Sequence, residues 1–178
     1  DPQLEKNKLN FYLAESNYAL EKYSDALTRY SFVDTQDAEL AEQVLYGKAY
    51  CYFNLRQYEN ASFHFADFVK KNPQSAKLLD AKLRLADSYY GSKNYSAASK
   101  IYRDLFVGGK DLANDPYSLY QYAQSLYKAG NTEEALNEFK NLQQRFPNSE
   151  YAEGALFTIG WIRFQQGKFG EAISNYKN

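Results

Sequence analysis

Apolar and polar positions along the chain repeat as blocks, each holding two stretches of helical periodicity. Small residues at Ala14, Ala49, Ala86, Ala123 and Gly160 are spaced 35, 37, 37 and 37 residues apart. Twelve positions after each comes Ala26, Ala61, Ala98, Ala135 or Ala172. Three residues before that alanine stands Tyr23, Tyr58, Tyr95, Thr132 or Phe169, and four after it Tyr30, Phe65, Tyr102, Phe139 or Tyr176. Self-similarity at such a period marks a repeat architecture, in which each unit buries its apolar face only by stacking on its neighbours. The small residue and the alanine allow a first helix (A) to approach its own second helix (B) closely. The flanking aromatics then fill the wedge toward the next unit.

The pattern predicts helix A/B pairs at about 4–20/24–34, 38–55/58–71, 76–91/95–107, 116–129/132–145 and 150–166/169–178. Turns such as Ala129-Gly130-Asn131 and Gln166-Gly167-Lys168 put glycine where a helix ends in the left-handed conformation. Asn72-Pro73 and Phe146-Pro147 end helix B, because proline cannot continue the ladder. Ser75 and Ser149 are expected to cap the next helix A. Asn10 and Asn17 stand where the first helix A would otherwise be apolar, as at a solvent-facing end, and Arg163 falls on the core face of the fifth unit.

This arrangement of Ala or Gly, then aromatic-x-x-Ala-x-x-x-aromatic, then Pro resembles the tetratricopeptide repeat over essentially the whole chain. The resemblance implies an all-α fold, a right-handed superhelix of stacked antiparallel helix pairs. It implies one array with repeats at about 4–37, 38–75, 76–114, 115–149 and 150–178, the last incomplete. The longer period and the Asn-Pro-Gln-Ser and Phe-Pro-Asn-Ser junctions also resemble a bacterial cell-envelope subgroup that includes BamD and CpoB. That likeness implies a periplasmic or envelope-associated location.

In this family the A helices line the concave side, where ligands lie. Counting from the small residue, positions −4, −1 and +3 are expected to form the core face, and −3, +1 and +4 a stripe beside it. The stripe reads Phe11, Glu15, Tyr18, then Tyr46, Tyr50, Phe53, then Leu83, Asp87, Tyr90. Tyr120, Gln124, Tyr127 and then Phe157, Trp161, Phe164 complete it. Eleven of these fifteen positions are aromatic, more than a core face alone requires. Two readings stand side by side. The +4 rings pack against the next repeat, or the −3 and +1 rings stay partly exposed as a polypeptide-binding groove. The partner-binding candidates are Phe11, Tyr46, Tyr50, Phe53, Tyr90, Tyr120, Gln124, Tyr127, Phe157 and Trp161. Repeats that clamp an acidic C-terminus carry Lys, Arg and Asn on this stripe; Phe11, Glu15, Tyr46, Asp87 and Tyr120 stand there instead. An apolar or amphipathic segment fits better.

Composition narrows the alternatives. With 21 basic and 22 acidic residues and no long run of like charge, the chain lacks the footprint of a nucleic-acid binder. No apolar stretch has the length of a membrane span. Cys51 is the single cysteine and reads as buried filler, while His64, the single histidine, reads as a solvated or half-buried side chain on a B helix. Gly108-Gly109-Lys110 lacks the pattern of a phosphate loop and, with Asp111 and Asp115, reads as part of a connector. No catalytic constellation, cofactor site or metal site emerges. The chain starts without Met and stops inside a helical pattern at Tyr176-Lys177-Asn178, as a piece of a longer protein would. The function read from these residues is a scaffold that binds a protein or peptide partner and catalyses nothing. Self-association through the uncovered last repeat is a further expectation. The alternatives are a component of an envelope-assembly complex, or the substrate-selecting arm of an enzyme whose catalytic domain lies elsewhere.

Overall fold

A computed structural model describes residues 2–108 and 115–177. Among the described residues there are ten helices and no strand. They are α1 (Pro2–Ala19), α2 (Tyr23–Ser31), α3 (Ala38–Asn54), α4 (Tyr58–Lys71) and α5 (Leu78–Gly91), followed by α6 (Tyr95–Gly108), α7 (Pro116–Lys128), α8 (Thr132–Arg145), α9 (Glu150–Gln165) and α10 (Phe169–Lys177). Contacts gather them into two compact units, Asp1–Lys93 and Asn94–Asn178. In the first, α1 packs on α2, α3 on α4, and α4 on α5; in the second, α6 packs on α7, α7 on α8, and α9 on α10. The connector residues 109–114, Gly109-Lys110 and Asp111 among them, lie outside the described residues.

The ten repeat-defining small positions hold the helix pairs together. Ala14, Ala26, Ala49, Ala61, Ala86, Ala98, Ala123 and Ala135 are fully buried, and Ala172 nearly so. The aromatic four residues beyond each B-helix alanine is equally enclosed at Tyr30, Phe65, Tyr102 and Phe139, but Tyr176 is 49% exposed. Tyr30 shows why the wedge works: its ring lies against the backbone of Gly47 on α3, leaving no room for a Cβ.

Each hairpin needs one residue with positive φ seven positions after the small residue. Gly130 (φ 90°) and Gly167 (φ 74°) fill that place as expected, whereas the first unit uses Glu21 (59°), Arg56 (58°) and Lys93 (64°). Side chains in this region cost about 1 kcal/mol that glycine avoids.

Several expectations need correction. The buried face of the A helices is broader than −4, −1 and +3. Leu85, Leu119, Tyr122, Leu126 and Ile159 are buried there as expected. From α3 onward, however, so are Val44, Ala81, Ser118 and Ala155 at −5 and Cys51, Ser88, Ser125 and Ile162 at +2. Small and hydroxyl-bearing residues hide this face from a hydrophobicity count. Asn10 is buried rather than solvent-facing, its Nδ2 donating to the Lys6 carbonyl at 3.0 Å. Nearby Asn7, 3% exposed, bonds both backbone groups of Asp34. That clamp accompanies an α2 that ends at Ser31, three residues early. Ser149 occupies the N-cap of α9 but turns its hydroxyl back to the Phe146 carbonyl at 2.9 Å. Ser75 precedes α5 by a turn; its Oγ accepts from Lys77 N at 3.0 Å and donates to Glu42 at 2.7 Å. Arg163 is accommodated at the core edge by Glu171 of α10 at 3.1 Å.

Candidate functional site

Within the first unit the stripe is built on α1, α3 and α5. Tyr46 and Tyr50, one turn apart on α3, have ring centroids 4.9 Å apart. Beneath them lie the buried rings of α4, with Phe68 5.2 Å from Tyr46 and Phe65 5.3 Å from Tyr50. Their hydroxyls both donate to Oδ2 of Asp80 on α5, at 2.6 and 2.5 Å. Burial first, and then this bond to a carboxylate, pushes the Tyr50 hydroxyl up to about 12 and raises Tyr46 further still. Tyr30 donates in the same manner to Glu15 and is likewise raised, chiefly by burial. A phenol whose proton sits between a ring stack and an anion is held by geometry, and its ring turns little.

Phe11 is half-buried, 6.3 Å from Tyr30, and with Glu15, Tyr18, Tyr46 and Tyr50 lines a cleft of about 300 Å³. Phe53 packs 5.7 Å from Tyr58, with the Arg84 guanidinium 5.8 Å from its centroid. Tyr90 is half-buried on α5. Tyr18 accepts from Asn54 Nδ2 of α3 at 3.0 Å. The +4 hydroxyl here bridges to the following A helix.

In the second unit Tyr120 of α7 lies 6.0 Å from Phe139 and 5.5 Å from Tyr151. Gln124 donates to the Tyr120 hydroxyl at 2.8 Å and to Thr158 Oγ1 at 3.2 Å. Tyr127 donates to Gln165 of α9 at 2.8 Å, the same bridge that Tyr18 makes to Asn54. On α9 the rings are open: Phe157 is 64%, Trp161 42% and Phe164 50% exposed, and Trp161 stacks on Phe164 at 5.9 Å.

The residues that the sequence reading passed over, Asp80 and Arg84, are polar. They share one face of α5 with Asp87 of the stripe at i, i+4 and i+7, a spacing that could have revealed them. Arg84 Nη1 meets Asp87 at 2.5 Å and its Nε lies 3.7 Å from Asp80.

The remaining candidates have structural surroundings. Cys51 is fully buried, and burial drives its thiol up to about 12, far from a reactive thiolate. His64 stacks on Tyr52 at 5.0 Å, and burial, then Lys48, lowers its pKa, which favours the neutral ring. Among the described residues no group of three or more His, Cys, Asp or Glu is placed to hold a metal ion. No helix among them is long and apolar enough to cross a membrane.

Comparisons with known proteins point the same way as the repeat spacing. The family model described as tetratricopeptide repeat matches residues 43–75, and that of anaphase-promoting complex, cyclosome, subunit 3 matches residues 92–178. The intraflagellar transport protein 56 homolog of Caenorhabditis elegans is 26% identical across 87% of this chain. The chain spans about 30% of the length of that curated relative. Among solved structures, MamA from Desulfovibrio magneticus RS-1 (residues 41 to its end) superposes with a TM-score of 0.77 at 15% identity, over 97% of this chain and 92% of that one. YrrB, described as a TPR protein with an unusual peptide-binding site, gives 0.71 at 17% identity, over 93% of this chain and 80% of that one. At such identities the likeness establishes the fold and nothing finer. The chain has the all-α fold of tetratricopeptide-repeat proteins, and its matches to the repeat-family models support that family.

Proposed function

We propose that this chain is a protein-interaction scaffold that holds a partner polypeptide against the aromatic faces of its A helices. The observation that carries the reading is the state of the stripe. In the first unit Tyr46 and Tyr50 are half-buried against α4 and fixed through their hydroxyls, while in the second Phe157, Trp161 and Phe164 stay open. Rigid, partly open aromatic rings offer large contact area at small entropic cost, which is what binding hot spots require. The five tandem repeats are proposed to act as one binding element. The comparison with YrrB supports the reading only as a case in which this fold carries a peptide site.

The test is affinity capture from lysate, comparing the wild type with a Tyr50→Ala/Tyr120→Ala/Trp161→Ala variant of native helicity. A partner retained by the wild type and lost by the variant is expected. Equal retention by both would move the site off the stripe.

A second reading concerns the end of the second unit. Phe157, Trp161, Phe164, Phe169, Ile173 and Tyr176 are each at least 42% exposed on α9 and α10. An apolar cluster of this kind favours association, including self-association of the isolated chain. Sedimentation across a concentration series is expected to show dimers that disappear in Trp161→Gln/Phe164→Gln; a strict monomer at high concentration would discard this reading. The envelope-assembly and enzyme-arm alternatives rest on resemblance and on chain outside these residues, and no contact described above favours either.

A further inference from the structure

The cleft in the first unit has a charge pattern that an apolar partner would not satisfy. Its walls are Phe11, Glu15 and Tyr18 from α1, Tyr46 and Tyr50 from α3, and Lys77 ahead of α5. Glu15 accepts the Tyr30 hydroxyl, and among the described residues no lysine or arginine lies within ion-pair reach of it. Asp80, which does not line the cleft, already takes the Tyr46 and Tyr50 phenols and lies 3.7 Å from the Arg84 Nε. Among the residues that line the cleft Glu15 is the one carboxylate and Lys77 the one cation, no ion pair joins them, and Glu15 has the neutral Tyr30 hydroxyl as its partner. Lys77 shows that the rings tolerate positive charge: its Nζ lies 5.2 Å from the Tyr46 centroid.

We infer that this cleft receives an arginine side chain of the partner polypeptide, its guanidinium against the Phe11, Tyr18 and Tyr46 rings and paired with Glu15. The inference rests on the scaffold reading and names the chemistry of the segment held at this place. Covering Glu15 with an apolar side chain would strip water from an anion without replacing it, and an acidic side chain would be repelled. Arginine suits the cleft better than lysine, because a planar, weakly hydrated guanidinium stacks on rings and matches a carboxylate with two donors. About 300 Å³ is at the small end of ligand pockets, enough for one long side chain.

The test is a nitrogen–proton NMR titration of the whole chain with N-acetyl-arginine methylamide, run beside its uncharged isostere N-acetyl-citrulline methylamide. The arginine compound is expected to shift the Phe11, Glu15 and Gly47 amides saturably, with a Kd on the order of millimolar, as suits a single side chain. The citrulline compound is expected to leave them in place. Glu15→Gln keeps an acceptor for Tyr30 while removing the charge, and should weaken binding about tenfold, roughly the 1.4 kcal/mol scale of one charge-assisted contact. Lys77→Gln removes the competing cation and should strengthen binding about threefold, a change of opposite sign that misfolding would not produce. The inference is overturned if citrulline shifts the same amides equally, if Glu15→Gln binds as wild type does, or if arginine leaves the amides unmoved. If the capture experiment still finds a partner lost on Tyr50→Ala/Tyr120→Ala/Trp161→Ala, such a failure removes the arginine and leaves the scaffold reading intact.

Discussion

Tyr46 and Tyr50 in the first unit occupy the same two places on their helix as Tyr120 and Gln124 in the second, three before and one after the small residue. In the first unit both hydroxyls go to a carboxylate, Asp80. In the second an amide serves the hydroxyl, with Gln124 donating to Tyr120. The contrast continues along each stripe: Glu15 and Asp87 put charge at +1 in the first unit, while Trp161 puts an exposed ring there in the second. The same stripe therefore carries carboxylates beside its rings in one unit and only neutral or apolar side chains in the other. The hairpins differ too, with side chains held at positive φ in the first unit and glycine in the second.

The largest effect that would break this comparison is steric. A Cβ on Gly47 would sit 2.3 Å from the Tyr30 hydroxyl oxygen, and Tyr30 is 1% exposed with nowhere to go. Gly47→Ala should cost about 2 kcal/mol, within the range for overpacking. At Gly160 the obstructing ring is Tyr176, 49% exposed and free to swing aside, so Gly160→Ala should be neutral or gain up to about 1 kcal/mol of helix propensity. Denaturant midpoints of the two variants would check the difference; equal losses would mean that the two wedges are equally tight.

Next comes the carboxylate. Asp80→Ala leaves two phenols without their acceptor and Arg84 with Asp87 as its carboxylate, and should cost about 1 kcal/mol, since water reaches part of the site. Gln124→Ala removes only neutral bonds and should cost about half as much. A thermal-melt comparison that ranks them the other way would contradict the charged-versus-neutral distinction.

The hairpin difference predicts opposite signs. Arg56→Gly relieves positive φ and should stabilise by about 0.5 kcal/mol, while Gly130→Ala should destabilise by about 1 kcal/mol. The same denaturation assay reads both.

The smallest effect is in pH. Tyr50 is raised from 10.0 to about 12, so the folded state holds its proton more tightly than the unfolded chain does. Its contribution to stability is fully present below pH 10 and fades as pH rises toward 12. Tyr50→Phe should flatten that part of the stability profile; Tyr120→Phe, tried beside it, gauges what losing a stripe hydroxyl does in the neutral second unit.

The repeat itself was legible because it is written in size: ten small residues and their aromatic companions are visible without any structure. Helix limits followed, since Pro73, Pro147, Gly130 and Gly167 are chemically unambiguous stops. The hidden part is polar. Asn7 and Asn10 are buried because they bond backbone groups, which hydrophobicity cannot register. The core face was drawn too narrow where Ser88, Ser118 and Ser125 extend it, small enough to be enclosed while looking exposed in sequence. The candidate stripe was readable as a row of rings, but its anchoring by Asp80 was not, because that contact joins residues 30 and 34 positions apart.

The most direct test of the scaffold account is site-specific photo-crosslinking from inside the cell. A benzophenone side chain would be placed at Gln43 or Phe157, on the A-helix faces of the two units, and at Phe63, 70% exposed on the B helix α4. The account predicts a crosslinked partner polypeptide from Gln43 and Phe157 and none from Phe63. A partner captured from Phe63 alone would contradict it.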